Sequence, residues 1–321
     1  MLVKIDRFQD IHLHASSVKE WKQIYNQITP GTLQSSLVQA VAGHLHIFRE
    51  QINQRVVQHG EAPRGKICFA LPLNVPGAAR VQGREVDDKC IFVLRGGQEF
   101  MFHMPMSMDI LAVTFDVEDF EQALTDSGRS DALRALLKQP VVKVSPHRLA
   151  ESKARLLRLF YGSLVSPAAD ASGGHSEACI EGAMLDTMLN LIADPECDKN
   201  QNLGSSPCSF IVEKIHRLLL QDSGSPPSVQ EFCDRLRVSR TTVQKSFQSV
   251  TQSTPVNYIR CIRLNGVRRE LMSTSGSELS VGDAAAKWGF FHLSHFAADY
   301  RDLFDELPSQ TARKNELLVT A

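Results

Sequence analysis

The sequence predicts an α+β chain in two parts. A mainly β, barrel- or sandwich-like N-terminal domain with flanking helices (1–200) precedes an all-α C-terminal domain (205–321) that carries two helix-turn-helix units. Three observations predict this. Between 33 and 115, short apolar runs with partial alternation are punctuated by Gly60, Gly65, Pro72, Pro76-Gly77, Gly83, Gly96-Gly97 and Pro105, the texture of short strands joined by turns. From 207 onward, apolar residues recur at helical spacing instead. Between the two lies Asp194–Pro207, rich in Asn, Ser, Gly and Pro and holding one aliphatic residue, Leu203, which has the composition of a linker.

In order along the chain, Val18, Trp21, Ile24, Tyr25 and Ile28 have the spacing of a short amphipathic helix over 18–28, ended by Thr29-Pro30-Gly31. The strand-like runs are 33–41, 45–55, 66–73, 89–94 and 110–115. Residues 117–138 read as helical pieces. Residues 147–165 and 176–193 read as helices, separated by a break from Ser166-Pro167 to Gly173-Gly174. These two helices could form a homodimer interface or cover the barrel.

Two His-Leu-His triplets, His12/His14 and His44/His46, would each share a face if they lay on strands, and His103 could complete a metal set. That would make a metal-binding β-barrel enzyme with an appended helix-turn-helix domain, the competing function. No carboxylate stands at a supporting spacing, so no metal ligand, catalytic residue or cofactor is assigned. Phe100, Met101, Phe102, Met104, Met106 and Met108 form a soft apolar cluster suited either to a ligand pocket or to core filling.

Composition narrows the class further. The chain has 321 residues, 43% of them hydrophobic and 22% charged, with a formal net charge of −1, so no whole-chain field favours nucleic acid or a membrane surface. Locally the picture differs. Arg235, Arg237, Arg240, Lys245, Arg260, Arg263, Arg268 and Arg269 are eight basic residues in a stretch with no acidic one. Seven scattered cysteines without a Cys-x-x-Cys pair suggest neither a disulfide framework nor a zinc site. The opening Met1–Arg7 lacks an apolar signal core and no apolar run reaches spanning length, so a cytoplasmic protein without a membrane segment is expected.

The C-terminal half carries the chemistry. Phe210 to Leu219 begin a helix ending at Asp222-Ser223-Gly224, and Ser228 caps the next, with Val229, Phe232, Cys233 and Leu236 inward. Ser239 then caps a helix whose Val243, Phe247 and Val250 face a core. The other face presents Arg240, Thr241, Gln244, Lys245 and Gln248, all able to bond phosphates or base edges in a major groove. Thr254-Pro255 opens a long helix with a broad apolar stripe. The pattern repeats in Ser280–Phe290, ending at glycine, followed by a helix with Phe296, Tyr300 and Phe304 at i+4 steps.

On these residues, 207–318 resembles the DNA-binding domain of the AraC/XylS family of transcription regulators. The resemblance rests on Val238-Ser239, Val243, Lys245 and Phe247 and on Pro255, Tyr258 and Arg263-Leu264. A second signature comprises Ala284-Ala285, Trp288-Gly289-Phe290, Ser294, Phe296, Tyr300-Arg301, Phe304 and Pro308-Ser309. Departures are Gln252 and Asp305 at turn positions usually held by glycine, His292 at a helix cap, and Thr311-Ala312 in place of Tyr-Arg. The resemblance implies an effector-responsive activator of a catabolic operon, with promoter DNA, RNA polymerase and a small-molecule effector as partners. It implies base reading by Arg240, Thr241, Gln244 and Lys245, with Gln248 alongside, and in the second unit by Ser294, His295 and Ala298. Arg301 would contact phosphate, and Asp299 would repel it. Short islands at 21–31, 47–50 and 263–271, with the Trp288-Gly289-Phe290 segment through Leu303-Phe304, further resemble regulators of ethanolamine-utilisation operons, which implies a response to ethanolamine and adenosylcobalamin.

Overall fold

The computed structural model describes residues 2–128, 133–134, 136–165, 173–193, 206–221 and 227–313. The expected break at 166–172, the linker core at 194–205 and the turn at 222–226 lie outside the described residues, as do residues 314–318 of the family resemblance. The chain divides into two compact bodies. One comprises 1–24, 34–53 and 59–204; the other comprises 25–33, 54–58 and 205–321.

The first body is built on sheets that do not close into a barrel. Strands β1 (Leu2–Phe8), β3 (Ser35–Ala42), β4 (Leu45–Ile52), β11 (Met108–Asp116), β6 (Lys66–Asn74), β9 (Cys90–Arg95) and β12 (Val141–Lys143) pair antiparallel in that order. A second sheet has the order β2 (Lys22–Gln27), β5 (Val56–Glu61), β10 (Glu99–Met104), β7 (Ala79–Val81), β8 (Arg84–Val86). Helices among the described residues of this body include the short α1 (Ile11–Ser17), α2 (Val117–Asp126), α3 (Pro146–Val165) and α4 (Gly173–Ile192).

Alternation sorts the seven-stranded sheet into two faces. Ile47, Phe69, Leu111 and Val113 join Phe120, Leu124, Leu156, Phe160, Met184 and Met188 of the helices in one buried cluster. Arg49, on that face, gives two hydrogen bonds to Asp109 (2.9 and 2.6 Å) and one to the Tyr161 hydroxyl (2.6 Å). The opposite face buries polar side chains that satisfy one another. His14 bonds Ser35 through Nδ1 (2.7 Å) and Glu50 through Nε2 (2.8 Å), and His46 meets Gln39 at 3.3 Å.

Two expectations are corrected here. No helix covers 18–28: Glu20 takes a φ of 68°, and residues 22–27 form a strand whose last three residues are all buried. The spacing of Trp21, Ile24, Tyr25 and Ile28 mimicked a helical stripe because the end of the strand, 25–27, is buried on both faces and loses its alternation, while Ile24 is exposed. The helix lies earlier, at Ile11–Ser17, started by the Asp10 carboxylate, which accepts the N–H groups of His12 (2.8 Å) and Leu13 (3.0 Å).

That placement undoes the metal argument, since residues two apart on a helix point to opposite sides. His14 is committed to Ser35 and Glu50, and His44 pairs with Asp116 at 2.6 Å. Among the described residues no group of three or more His, Cys, Asp or Glu side chains is placed to hold a metal. The Phe/Met cluster is largely core: Phe100, Met101, Phe102, Met104 and Met108 are buried, and Met106 is exposed.

Burial holds the His46 imidazole down at about 4, and the charges of Lys19 and Lys66 act in the same direction. The unfolded value is about 6.5, so the unfolded chain takes up a proton that the folded chain refuses between those two values. Stability is therefore fully present above about 6.5 and falls as pH drops toward about 4. Urea unfolding is expected to lose about 2 kcal/mol between pH 7 and 5 from this group, at 1.36 kcal/mol per pKa unit. His46→Gln should flatten that part of the profile.

Candidate nucleic-acid interface

The second body has six helices among the described residues: α5 (Pro207–Gln221), α6 (Val229–Leu236), α7 (Arg240–Thr251), α8 (Pro255–Ser273), α9 (Val281–Lys287) and α10 (Leu293–Phe304). A short 3-10 turn, Pro308–Gln310, follows.

The first motif is set by local chemistry. Ser228 and Glu231 close a capping box at the start of α6, with Ser228 Oγ accepting the Glu231 N–H (3.2 Å) and Glu231 Oε2 accepting the Ser228 N–H (2.7 Å). The helix ends at Leu236 because Arg237 turns left-handed (φ 53°), after which the Val238 N–H bonds Cys233 O at 3.0 Å. Ser239 Oγ then accepts the Thr242 N–H at 3.1 Å and starts α7. Val243, Phe247 and Val250 are buried, and the Phe247 ring packs against Tyr258 at 5.1 Å. Tyr258 is anchored in turn by His216 Nδ1, 2.8 Å from its hydroxyl. Arg240, Thr241, Gln244, Lys245 and Gln248 are exposed together on the outer face.

In the second motif Ser280 caps α9 by accepting the Asp283 N–H at 3.1 Å, and the turn passes through Gly289 (φ 75°). His292 sits at the start of α10 without a side-chain cap bond. Phe296, Tyr300, Leu303 and Phe304 face inward, and Ser294, His295, Ala298 and Arg301 are exposed. Gln252 and Asp305 end α7 and α10 in the left-handed region (φ 53° and 60°), so both accept the geometry glycine would otherwise supply.

The long α8 holds the two motifs. A Cβ added at Gly266 would lie 2.3 Å from Trp288 ring atoms, so the indole rests directly on the helix backbone. Arg263 donates to Trp288 O at 2.7 Å and stacks over Phe290 at 4.3 Å. Arg268 bonds Glu306 at 2.6 Å and lies over Phe304 at 4.7 Å.

The basic run thereby divides. Arg235, Arg237, Arg240 and Lys245 are exposed on the first motif, whereas the four arginines of α8 are engaged. Burial pulls the Arg263 pKa down and the Arg269 pKa to about 10, and Arg269 donates to Asn26 Oδ1 at 2.7 Å. Arg260 pairs with Asp299 at 2.9 Å. The carboxylate expected to repel phosphate is therefore paired with an arginine of α8.

Residues 232–314 match a family model described as a helix-turn-helix domain. The XylDLEGF operon transcriptional activator 1 of Pseudomonas putida is 33% identical over 108 residues, 34% of this chain and 30% of that protein. The XylDLEGF operon transcriptional activator 2 of the same organism is 32% identical over 111 residues, 33% of this chain and 66% of that protein. The chain carries an AraC-type helix-turn-helix domain. The probable thc operon regulatory protein of Rhodococcus erythropolis is 30% identical over 88 residues, 27% of this chain and 26% of that protein. The chain thus spans less than two thirds of the length of each of these relatives. The AraC-like transcriptional activator CuxR aligns over 81% of this chain and 94% of its own, at 15% identity and a TM-score of 0.42.

Packed on the AraC-type domain are two segments from far upstream, 25–33 and 54–58. Asn265 on α8, fully buried, accepts the Gln27 N–H (3.0 Å) and donates to Gln27 O (2.8 Å). Gln27 Nε2 and the Gly31 N–H both donate to Leu303 O, and Thr32 donates to Asp305 (2.6 Å). Arg55 donates to Thr251 O (2.6 Å) and to the Gln252 side chain. The two segments therefore satisfy carbonyls at the C-terminal ends of both α7 and α10, groups a helix cannot pair internally. Sequence reasoning missed these residues. The one available signal was Asn265, a polar residue inside an apolar stripe.

Gly266→Ala is expected to destabilise this domain by about 1–3 kcal/mol, because the ring it meets cannot move aside. Gly282→Ala, where the nearest atoms lie 3.8 Å away, should be neutral or mildly stabilising. Asn265→Ala should cost about 1–3 kcal/mol by leaving Gln27 backbone groups buried and unpaired. Thermal unfolding of the full chain, followed by the near-ultraviolet signal of Trp288, measures all three.

Proposed function

We propose that this chain is a sequence-specific DNA-binding transcription regulator, an effector-responsive activator of a catabolic operon in the cytoplasm. The observation that carries the reading is the two-sided α7. Its apolar residues are buried, and Arg240, Thr241, Gln244, Lys245 and Gln248 stand exposed in an AraC-type domain. Gln244 has the donor and acceptor to pair with adenine, and Lys245 and Arg240 have the charge for phosphates. On α10, Ser294, His295 and Ala298 supply a smaller surface beside Arg301. The relatives named as operon activators favour activation, which brings RNA polymerase as a partner. Among the described residues no helix is long and apolar enough to cross a membrane.

The effector is assigned to the first body, where helices α3 and α4 are also the candidate homodimer surface. Segments 25–33 and 54–58 support a route from effector to DNA. They continue directly from strands β2 and β5 and bond the C-terminal ends of both DNA-reading helices. A change in those strands would alter the spacing of the two motifs.

Mapping of promoters bound by the full chain, with and without added amines, tests the reading. Enrichment of one or a few promoters supports it, and diffuse salt-sensitive binding alone overturns it. On an enriched site, Gln244→Ala should relax base preference by about 1–3 kcal/mol, and Lys245→Ala should weaken binding to all sequences and lower the salt slope by about 1. Indifference to both substitutions would remove α7 as the reading helix.

A further inference from the structure

The second motif presents apolar side chains where a reading helix meets DNA. Phe291 is 76% exposed and Leu293 51%, and they flank the start of α10. Their neighbours show that this exposure is specific to position. Phe290 is tucked against Phe296 at 5.2 Å and under Arg263, so the Phe290-Phe291 pair splits, one ring inward and one outward. One terminal methyl of Leu293, Cδ1, lies 3.8 Å from where a Gly282 Cβ would stand, so the side chain leans toward α9 while half of it stays exposed.

We propose that Phe291 and Leu293 are specificity determinants that seat against the C5-methyl groups of thymines in the major groove. The inference rests on the reading of this domain as a DNA binder, and it names what the second motif recognises. In a helix-turn-helix, the N-terminal residues of the second helix are those that reach base edges. The thymine methyl is the apolar group the major groove displays, and apolar side chains pair with it. The polar residues at the start of α10, Ser294 and His295, stand beside Ala298, and the Asp299 carboxylate is paired with Arg260. Such a surface is suited to a methyl-bearing step and poorly suited to a hydrogen-bonded guanine. The division of labour follows: α7 reads by hydrogen bonds through Gln244 and by charge, and α10 reads by shape and methyl contact.

The test uses the full chain and a duplex enriched by repeated selection from random DNA. Thymines across the site are replaced one at a time by deoxyuracil, which keeps the pairing edge and removes only the methyl. Wild type should lose about fourfold in affinity at one or two positions, from about 0.8 kcal/mol per buried carbon at 1.4 kcal/mol per tenfold. Phe291→Ala should bind the thymine duplex about fourfold more weakly and show no further loss with deoxyuracil at one of those positions, and Leu293→Ala should do the same at the other where two respond. Lys245→Ala should weaken binding overall and keep the deoxyuracil effect. A selected site at which every deoxyuracil is silent overturns this proposal and leaves the regulator reading standing. Failure to enrich any sequence overturns both. If Phe291→Ala keeps wild-type affinity and the deoxyuracil effect but loses transcription with purified RNA polymerase, the exposed ring is a polymerase contact and the proposal is wrong.

Discussion

The arrangement of the helical domain depends on the contact between Trp288 and Gly266. An indole laid on a helix backbone at that distance fixes both how close α9 comes to α8 and how it is turned, because only glycine leaves the room. Arg263 secures the same corner by bonding Trp288 O and covering Phe290. The Arg268–Glu306 pair, with Tyr300 and Thr311 bonded alongside, holds the far end of α10. Phe247 against Tyr258 does the corresponding work for the first motif. The two helix-turn-helix motifs are thus carried on one long helix.

Charge in this domain is divided by burial. A guanidinium withdrawn from water needs partners, and Arg263, Arg268 and Arg269 find them in a carbonyl, a carboxylate, an amide oxygen and aromatic faces, while the exposed Arg260 pairs with Asp299. Those arginines are part of the frame. The charges left for a polyanion are concentrated on the first motif, in Arg235, Arg237, Arg240 and Lys245, with Arg301 exposed on α10. The asymmetry between a charged first motif and an apolar, nearly neutral second one follows directly.

In the first body the same rule governs histidine. His14 and His46 look like ligands in one dimension, but each is enclosed on the polar face of the seven-stranded sheet and bonded to Ser35 and Glu50 or to Gln39. Buried polar groups that satisfy one another hold strand register and leave no coordinating lone pairs convergent on an ion.

By itself the sequence determined what depends on near neighbours along the chain. Ser228 with Glu231, Ser239, Ser280 and Thr254-Pro255 start their helices through bonds spanning two or three residues, and Val243, Phe247 and Val250 declare a buried face by periodicity. The exposed set on α7 was legible for the same reason, as were the left-handed turns at Gln252 and Asp305. Strand identity was only partly legible. Residues 25–27 at the end of β2 are buried on both faces, and β7, β8 and β12 are three residues long, too short for alternation to register. The tertiary structure alone decided which basic residues are free, that His12 and His14 sit on a helix, that Phe291 points outward while Phe290 points inward, and that Gln27 and Arg55 bond helix ends hundreds of residues away. Each of these is a question of which distant group arrives beside a side chain, and that is settled by packing and not by local preference.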